Sequence, residues 1–232
     1  MKWKHAPLLV FVCMIGMLAM PQASYSDDDT RSYHIPDVAA LSQLPNLPNG
    51  CEAVAATMLL NWAGIAVTKE EVAEELPKGD LPHVNDDGAW IGSNPEDVFV
   101  GDPFGMGYGI YHKPVAALMD RYLPGRIKDL TGSSFNDLLE TVKSGRPVMV
   151  WATEHMDTPI FEDEWQDENE HIIDWYDPEH ALLLTGWDAD YAYMNDPMTG
   201  AQEAYSLSDF ESVWESMGSQ AITVVEDYTP SS

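Results

Sequence analysis

The chain has 232 residues, 45% of them hydrophobic, with 11 Lys and Arg against 39 Asp and Glu and a formal net charge of −28. That balance excludes nucleic acid and anionic membrane surfaces as direct partners. The length and apolar content suffice for one well-packed domain.

In chain order, Lys2, Lys4 and His5 form a basic start and Pro7 to Met20 an apolar run too short to span a membrane. Small residues follow at Ala23, Ser24 and Ser26, so residues 1–26 read as a secretory signal peptide. The mature chain is then expected outside the cell or in the cell-wall space, with no stable membrane insertion after cleavage. Cys13 invites a lipid-anchor reading, but Val12 precedes it where a small residue is required. Residues 27–39 are polar and open on Asp27, Asp28 and Asp29, a flexible lead-in; residues 40–227 form one domain without repeat or linker.

The stretch from Asn49 to Gly64 organises that domain. Pro48-Asn49-Gly50 is a turn, Asn49 or Gly50 supplies an N-cap, and Gly64 suits the left-handed position past the C-terminus. Between them nearly every position is apolar on all faces, which predicts a helix buried in the core with Cys51 at its positive end. A helix N-terminus lowers a thiol pKa and favours thiolate. Thr68-x-x-Glu71 and Ser134-x-x-Asp137 read as capping boxes of further helices, and Ser208-x-x-Glu211 as a similar start. Pro114 falls in the first turn of another helix ending near Tyr122. Residues 77–109 are loop-rich, a length that in a compact domain is usually functional. Strands are predicted at Pro147–Ala152, His180–Trp187, Tyr191–Asn195 and Ala221–Val225, with an acidic, Trp-bearing insertion from Glu154 to Glu179. Helices precede strands, so the fold class is α+β: an N-terminal helical part, with its buried Cys51 helix, packed on a C-terminal antiparallel sheet.

Without Cys13 the mature chain has one cysteine, unusual in a secreted protein. Cys51 is either a small buried hydrophobe or a nucleophile, and its place after Asn-Gly at a helix start favours the nucleophile. A nucleophilic thiol needs a base, and the base an orienting group. His34, His83, His112 and His155 sit in loops or at helix starts without an evident partner, and His155 and His171 lie among acids that suit surface ion pairs. His180 differs. With a three-residue loop at Asp188-Ala189-Asp190, His180 faces position 198, and Asp196 is its diagonal neighbour on the same face. Pro197 holds Asp196 extended. Gln43, upstream of Cys51, is the candidate second donor of an oxyanion hole, together with the Cys51 backbone N–H. No Cys-rich zinc site, no His-Glu-x-x-His and no calcium-loop spacing is present, so neither metal nor cofactor is predicted. Trp151, Trp165, Trp175 and Trp187 read as core or cleft wall, with Trp165 and Trp175 placed to line a substrate groove.

Six blocks carry a resemblance: Gln43-Leu-Pro-Asn-Leu-Pro-Asn-Gly-Cys51-Glu, Phe99-Val-Gly-Asp-Pro, Gly107-Tyr-Gly-Ile-Tyr, Gly145-Arg-Pro-Val, His180-Ala-Leu-Leu-Leu-Thr-Gly-Trp-Asp188 and Asn195-Asp-Pro. From Ile35 to Val225 the chain resembles the secreted, single-domain branch of the bacteriocin double-glycine leader peptidase-like family, papain-fold cysteine peptidases of bacteria. The resemblance implies Cys51 as nucleophile, His180 as base, Asp196 as orienter and Gln43 as oxyanion donor, acting on a peptide or protein substrate. Glu52 follows the cysteine where exporter-linked members have Gly, a departure that puts leader cleavage in doubt while the resemblance still implies thiol hydrolase chemistry. A peptidoglycan-directed amidase or transpeptidase with the same triad, and a non-catalytic secreted binding module, are the alternatives. After Arg146 the chain has no Lys or Arg, which reads either as a solvated acidic surface or as a preference for cationic substrates, cell-wall peptides included.

Overall fold

The structure, a computed structural model, describes residues 32–225. The signal-peptide reading of residues 1–26 lies outside the described residues, as does the first part of the lead-in. From Tyr33 onward the predicted flexible lead-in is in fact tied down. Strand β1 (Tyr33–His34) pairs with the main sheet, and the Ile35 N–H donates to Thr185 O at 2.9 Å.

Helix α1 (Cys51–Trp62) forms where the apolar run predicts it, and its first ten residues, Cys51 to Leu60, are all buried. Gly50 is its N-cap, where a Cβ would stand 2.8 Å from the Leu47 Cβ, so the position has room for glycine alone; Gly64 takes φ +83° just beyond the end. Helix α2 (Lys69–Glu75) starts on the Thr68 capping box. The loop-rich stretch holds short strands β2 (Lys78–Gly79), β3 (His83–Val84), β4 (Trp90–Ile91) and β5 (Phe99–Val100). Next come α3 (His112–Tyr122), β6 (Ile127–Asp129) and α4 (Phe135–Lys143), the last closed by the Ser134–Asp137 capping box. The C-terminal half contains β7 (Val148–Thr153), a single 3-10 turn at Glu154–Met156, β8 (Ile160–Gln166) and β9 (Ile172–Asp177). It ends with β10 (Glu179–Trp187), β11 (Tyr191–Asp196), β12 (Ala201–Ser206), α5 (Leu207–Ser216) and β13 (Ala221–Val224).

The main sheet runs β12-β11-β10-β7-β13-β6, with β1 also on β10, and its pairs are antiparallel. Strand alternation splits the core in two. Met149, Trp151, Ala181 and Leu183 face α1 and α3, while Val148, Val150, Leu182 and Leu184 face α4 and α5. Helices therefore cover both faces, a fuller arrangement than a helical half stacked on one side. Two elements differ from the sequence expectation. Glu154–Glu179 is a β-hairpin in a second sheet, β3-β4-β8-β9. Helix α5 begins earlier than the predicted Ser208 start, because β12 runs straight into it and the Ser206 side chain accepts from the Asp209 N–H. Among the described residues no helix is long and apolar enough to cross a membrane.

Burial of α1 carries this core. Leu59 is fully buried on it, and Leu59→Ala is expected to cost about 2–5 kcal/mol through lost contacts and a residual cavity. Urea unfolding reads this directly; a loss below about 1 kcal/mol would contradict the packing of α1 against β7 and β10.

Candidate active site

The β10–β11 hairpin has the predicted register at the end that matters. Leu183 lies opposite Asn195 and Leu184 opposite Met194, before a bulge shifts the pairing toward the loop. His180 and Asp196 consequently share a face, and His180 Nε2 lies 2.7 Å from Asp196 Oδ1 with both residues buried. Asp196 is fixed by more than this contact. Its Oδ1 also accepts the Met198 N–H at 2.7 Å and its Oδ2 the Tyr205 hydroxyl at 2.6 Å. Burial alone would raise the Asp196 pKa. The hydrogen bond and charge of His180, with the Tyr205 and Met198 donors, outweigh it and hold the carboxyl at about 2. With Nε2 engaged, Nδ1 is the ring nitrogen left for a thiol.

Cys51 meets this strand at its first residue, where a Glu179 carboxylate oxygen lies within 4.8 Å of the sulfur, and the Ala181 backbone acts on the thiol from the same strand. The thiol itself donates to Glu52 Oε2 at 3.3 Å rather than to the histidine. Gln43 bridges the two halves of the site. Its backbone N–H donates to Pro197 O at 2.7 Å and its Nε2 to Pro48 O at 2.9 Å, on the turn leading into Cys51. One amide N–H thus anchors the side chain and leaves the second to donate elsewhere. Of the remaining histidines, His112 does have a partner, Asp129 at 2.6 Å, and His171 makes the expected ion pair, with Asp167 at 3.0 Å.

The expectation of a lowered thiol pKa is overturned. Burial first, then the charges of Glu52 and Glu179, push the Cys51 thiol well above its ordinary value, and the Ala181 N–H only partly offsets them. Glu52 is fully buried on the apolar helix, with Oε1 accepting the Ile110 N–H at 2.8 Å. Burial raises its pKa to about 7 against its own backbone N–H, the Ile110 N–H, the thiol hydrogen bond and the charge of nearby His180. Glu179 is raised as well, by burial and then by Glu52, Asp177 and Glu154. Burial and the crowding of these two acids thus disfavour the thiolate in the resting site. Cys51, Glu52 and Glu179 offer ligand atoms within 4.8 Å of one another, the one group among the described residues spaced to hold a metal ion. Shared protons explain the same closeness, and the two carboxyls and the thiol lack a histidine among them.

Glu52 and Glu179 were not singled out from sequence as parts of the site. The available signal was a lone acid on a helix otherwise apolar all round, since such an acid is buried and must be accommodated. Tyr205 was missed because its strand is polar and carries no alternation. A test follows from the sign of the Glu52 shift. Its raised folded pKa means that stability falls as pH climbs from about 4.5 to about 7. Glu52→Gln keeps an acceptor for Ile110 and is expected to flatten the melting temperature over that range. The same change is expected to speed Cys51 alkylation at pH 7 by roughly tenfold, because one neighbouring negative charge is gone. Unchanged pH profiles for both would contradict the assigned contact.

A cavity of about 400 Å³ opens between Asn49, Tyr108, Trp175, Glu162 and Glu179; Cys51 does not line it, and it borders the thiol site through Asn49 and Glu179. A thiol at a helix start, an imidazole held by a buried acid and a spare amide N–H are groups that covalent acyl transfer can use. Residues 35–222 match the Peptidase_C39 like family, and the chain belongs to that family, which is of cysteine-peptidase type. Among its relatives is the uncharacterized protein YvpB of Bacillus subtilis, 35% identical over 192 residues that cover 81% of this chain and 74% of YvpB. A crystal structure designated a C39-like peptidase from Bacillus anthracis superimposes with a TM-score of 0.77 at 33% identity, covering 86% of this chain and all of that one.

Proposed function

We propose that this is a secreted, papain-like cysteine peptidase that hydrolyses peptide bonds through a thioester on Cys51. The observation that carries the reading is the buried 2.7 Å contact of His180 Nε2 with Asp196, on the strand whose preceding residue, Glu179, brings a carboxylate oxygen within 4.8 Å of the Cys51 sulfur. His180 Nδ1 takes the thiol proton as sulfur attacks the carbonyl carbon, so a resting thiol with a raised pKa needs this base at the moment of reaction. The oxyanion accepts from Gln43 Nε2 and from the Cys51 backbone N–H at the start of α1. Collapse of the intermediate breaks the C–N bond, and His180 returns the proton to the leaving amine. His180 then deprotonates a water that opens the thioester, releasing the acid and restoring the thiol. Asp196 keeps the imidazole in the tautomer and orientation that both half-reactions use. The leader-like N-terminus supports export, and the unpaired cysteine is consistent with a nucleophile in an oxidising compartment.

Incubation with a mixed peptide library and, separately, with purified cell wall tests the reading. New peptide N-termini in the library are the expected result. Cleavage confined to wall stems would reassign the substrate, and no new termini in either would overturn the peptidase.

A further inference from the structure

We infer that the acidic cavity beside Cys51 binds an ammonium- or guanidinium-bearing side chain of the peptide substrate, adjacent to the bond that is cut. This rests on Cys51 being the nucleophile, and it supplies a substrate class for that site.

Acids from separate elements converge on the cavity: Glu154 from the turn after β7, Glu162 from β8, Asp177 from the end of β9 and Glu179 from the start of β10. No Lys or Arg lines it. Glu162 is the extra residue of the bulge between Phe161 and Asp163, which turns it out of the ladder. A solvated acidic face spreads its charges over convex surface, whereas here they surround one hollow and repel. The Glu179 Oε1 atom is buried without a hydrogen-bond partner, an acceptor waiting for a donor. Asp177 gives one oxygen to the Trp175 indole N–H and keeps the other.

The walls suit the same guest. Tyr108 and Trp175 meet edge to face at 5.5 Å, and an aromatic face attracts a cation. Gly109 lies where Glu52, beside the thiol, packs against the cavity residues Trp175 and Glu179. A Cβ there would stand 2.6 Å from Glu52 Oε1, 3.0 Å from Trp175 and 3.1 Å from Glu179 Oε2. The alkyl stem of a Lys or Arg can lie along this aromatic wall while its head reaches the carboxylates. The strongly negative chain favours the encounter with such peptides.

Calorimetric titration of the full-length Cys51→Ala protein tests this without any turnover. The titrants are one peptide series carrying Lys, norleucine or Glu at each position in turn. At one position Lys is expected to bind about tenfold tighter than norleucine, with the advantage shrinking as salt is added. Glu162→Gln, a change on an exposed hairpin side chain, is expected to remove most of that advantage, and Glu154→Gln part of it. Equal affinity for Lys and norleucine at every position would overturn the inference, as would a Lys advantage untouched by both substitutions. Hydrolysis of the same peptides by the unsubstituted protein is read separately. Binding preference without hydrolysis would remove the peptidase and leave the pocket, whereas hydrolysis without preference would do the reverse.

Discussion

Cys51→Ala is expected to lower kcat/KM for peptide hydrolysis by at least about 10⁴-fold, equivalent to about 5.5 kcal/mol of transition-state stabilisation. The covalent route disappears with the sulfur, and the remaining oxyanion donors act only on uncatalysed attack by water. The fold should survive. The residue removed is small, 7% exposed and at the rim of the core, so the loss is about 1 kcal/mol and a melting shift of about 2–4 °C. Glu52 still keeps the Ile110 N–H. Kinetics paired with thermal melting separate the two effects; activity within tenfold of the unsubstituted protein would remove Cys51 from the reaction.

Asp196→Ala has the next largest expected effect and acts on stability as well as rate. It strands the His180 Nε2, the Met198 N–H and the Tyr205 hydroxyl at once. Breaking a buried pair from one side costs about 3–5 kcal/mol. Loss of the orienting acid lowers kcat by about 10²–10⁴-fold because the imidazole is free to take the wrong tautomer. Asp196→Asn separates the two consequences, since it retains an acceptor oxygen with little change of shape and should lose rate far more than stability. The acid limb gives a further sign. A carboxyl held at about 2 in the folded protein contributes stability that is complete above its ordinary value of 3.8 and lost as pH falls from there toward 2. Asp196→Asn should therefore show a shallower loss of stability below about pH 4. Equal rates for Asp196→Asn and the unsubstituted protein would make the aspartate structural only.

Much of the site was legible because it depends on local periodicity. The Cys51 helix stands out as an unbroken apolar run between a turn and a glycine, and Thr68 and Ser134 announce their helices through acids three residues later. The His180–Asp196 contact follows from parity in a hairpin, and parity survives the bulge because the bulge lies on the loop side of Leu184. The β8–β9 hairpin was not legible. Its strands carry acids on both faces and bury mainly Trp165 and Trp175, so the two-residue alternation is absent. Edge strand β12 is equally polar and takes its register from β11. The thiol's electrostatics failed for another reason. The helix N-terminus is visible in sequence, but the burial of the thiol, which acts most strongly against thiolate, comes only with the tertiary fold; the charge of the adjacent Glu52 and then that of Glu179, brought in by the fold, add to it.

The most direct measurement is rapid acid quench of the protein during turnover of a lysine-containing peptide ester, followed by peptide mapping. The expected result is a mass increase equal to the acyl group on the peptide containing Cys51, cleared by hydroxylamine and absent from His180→Ala. Turnover that continues with Cys51 unmodified, and that persists in Cys51→Ala, would contradict the thioester mechanism.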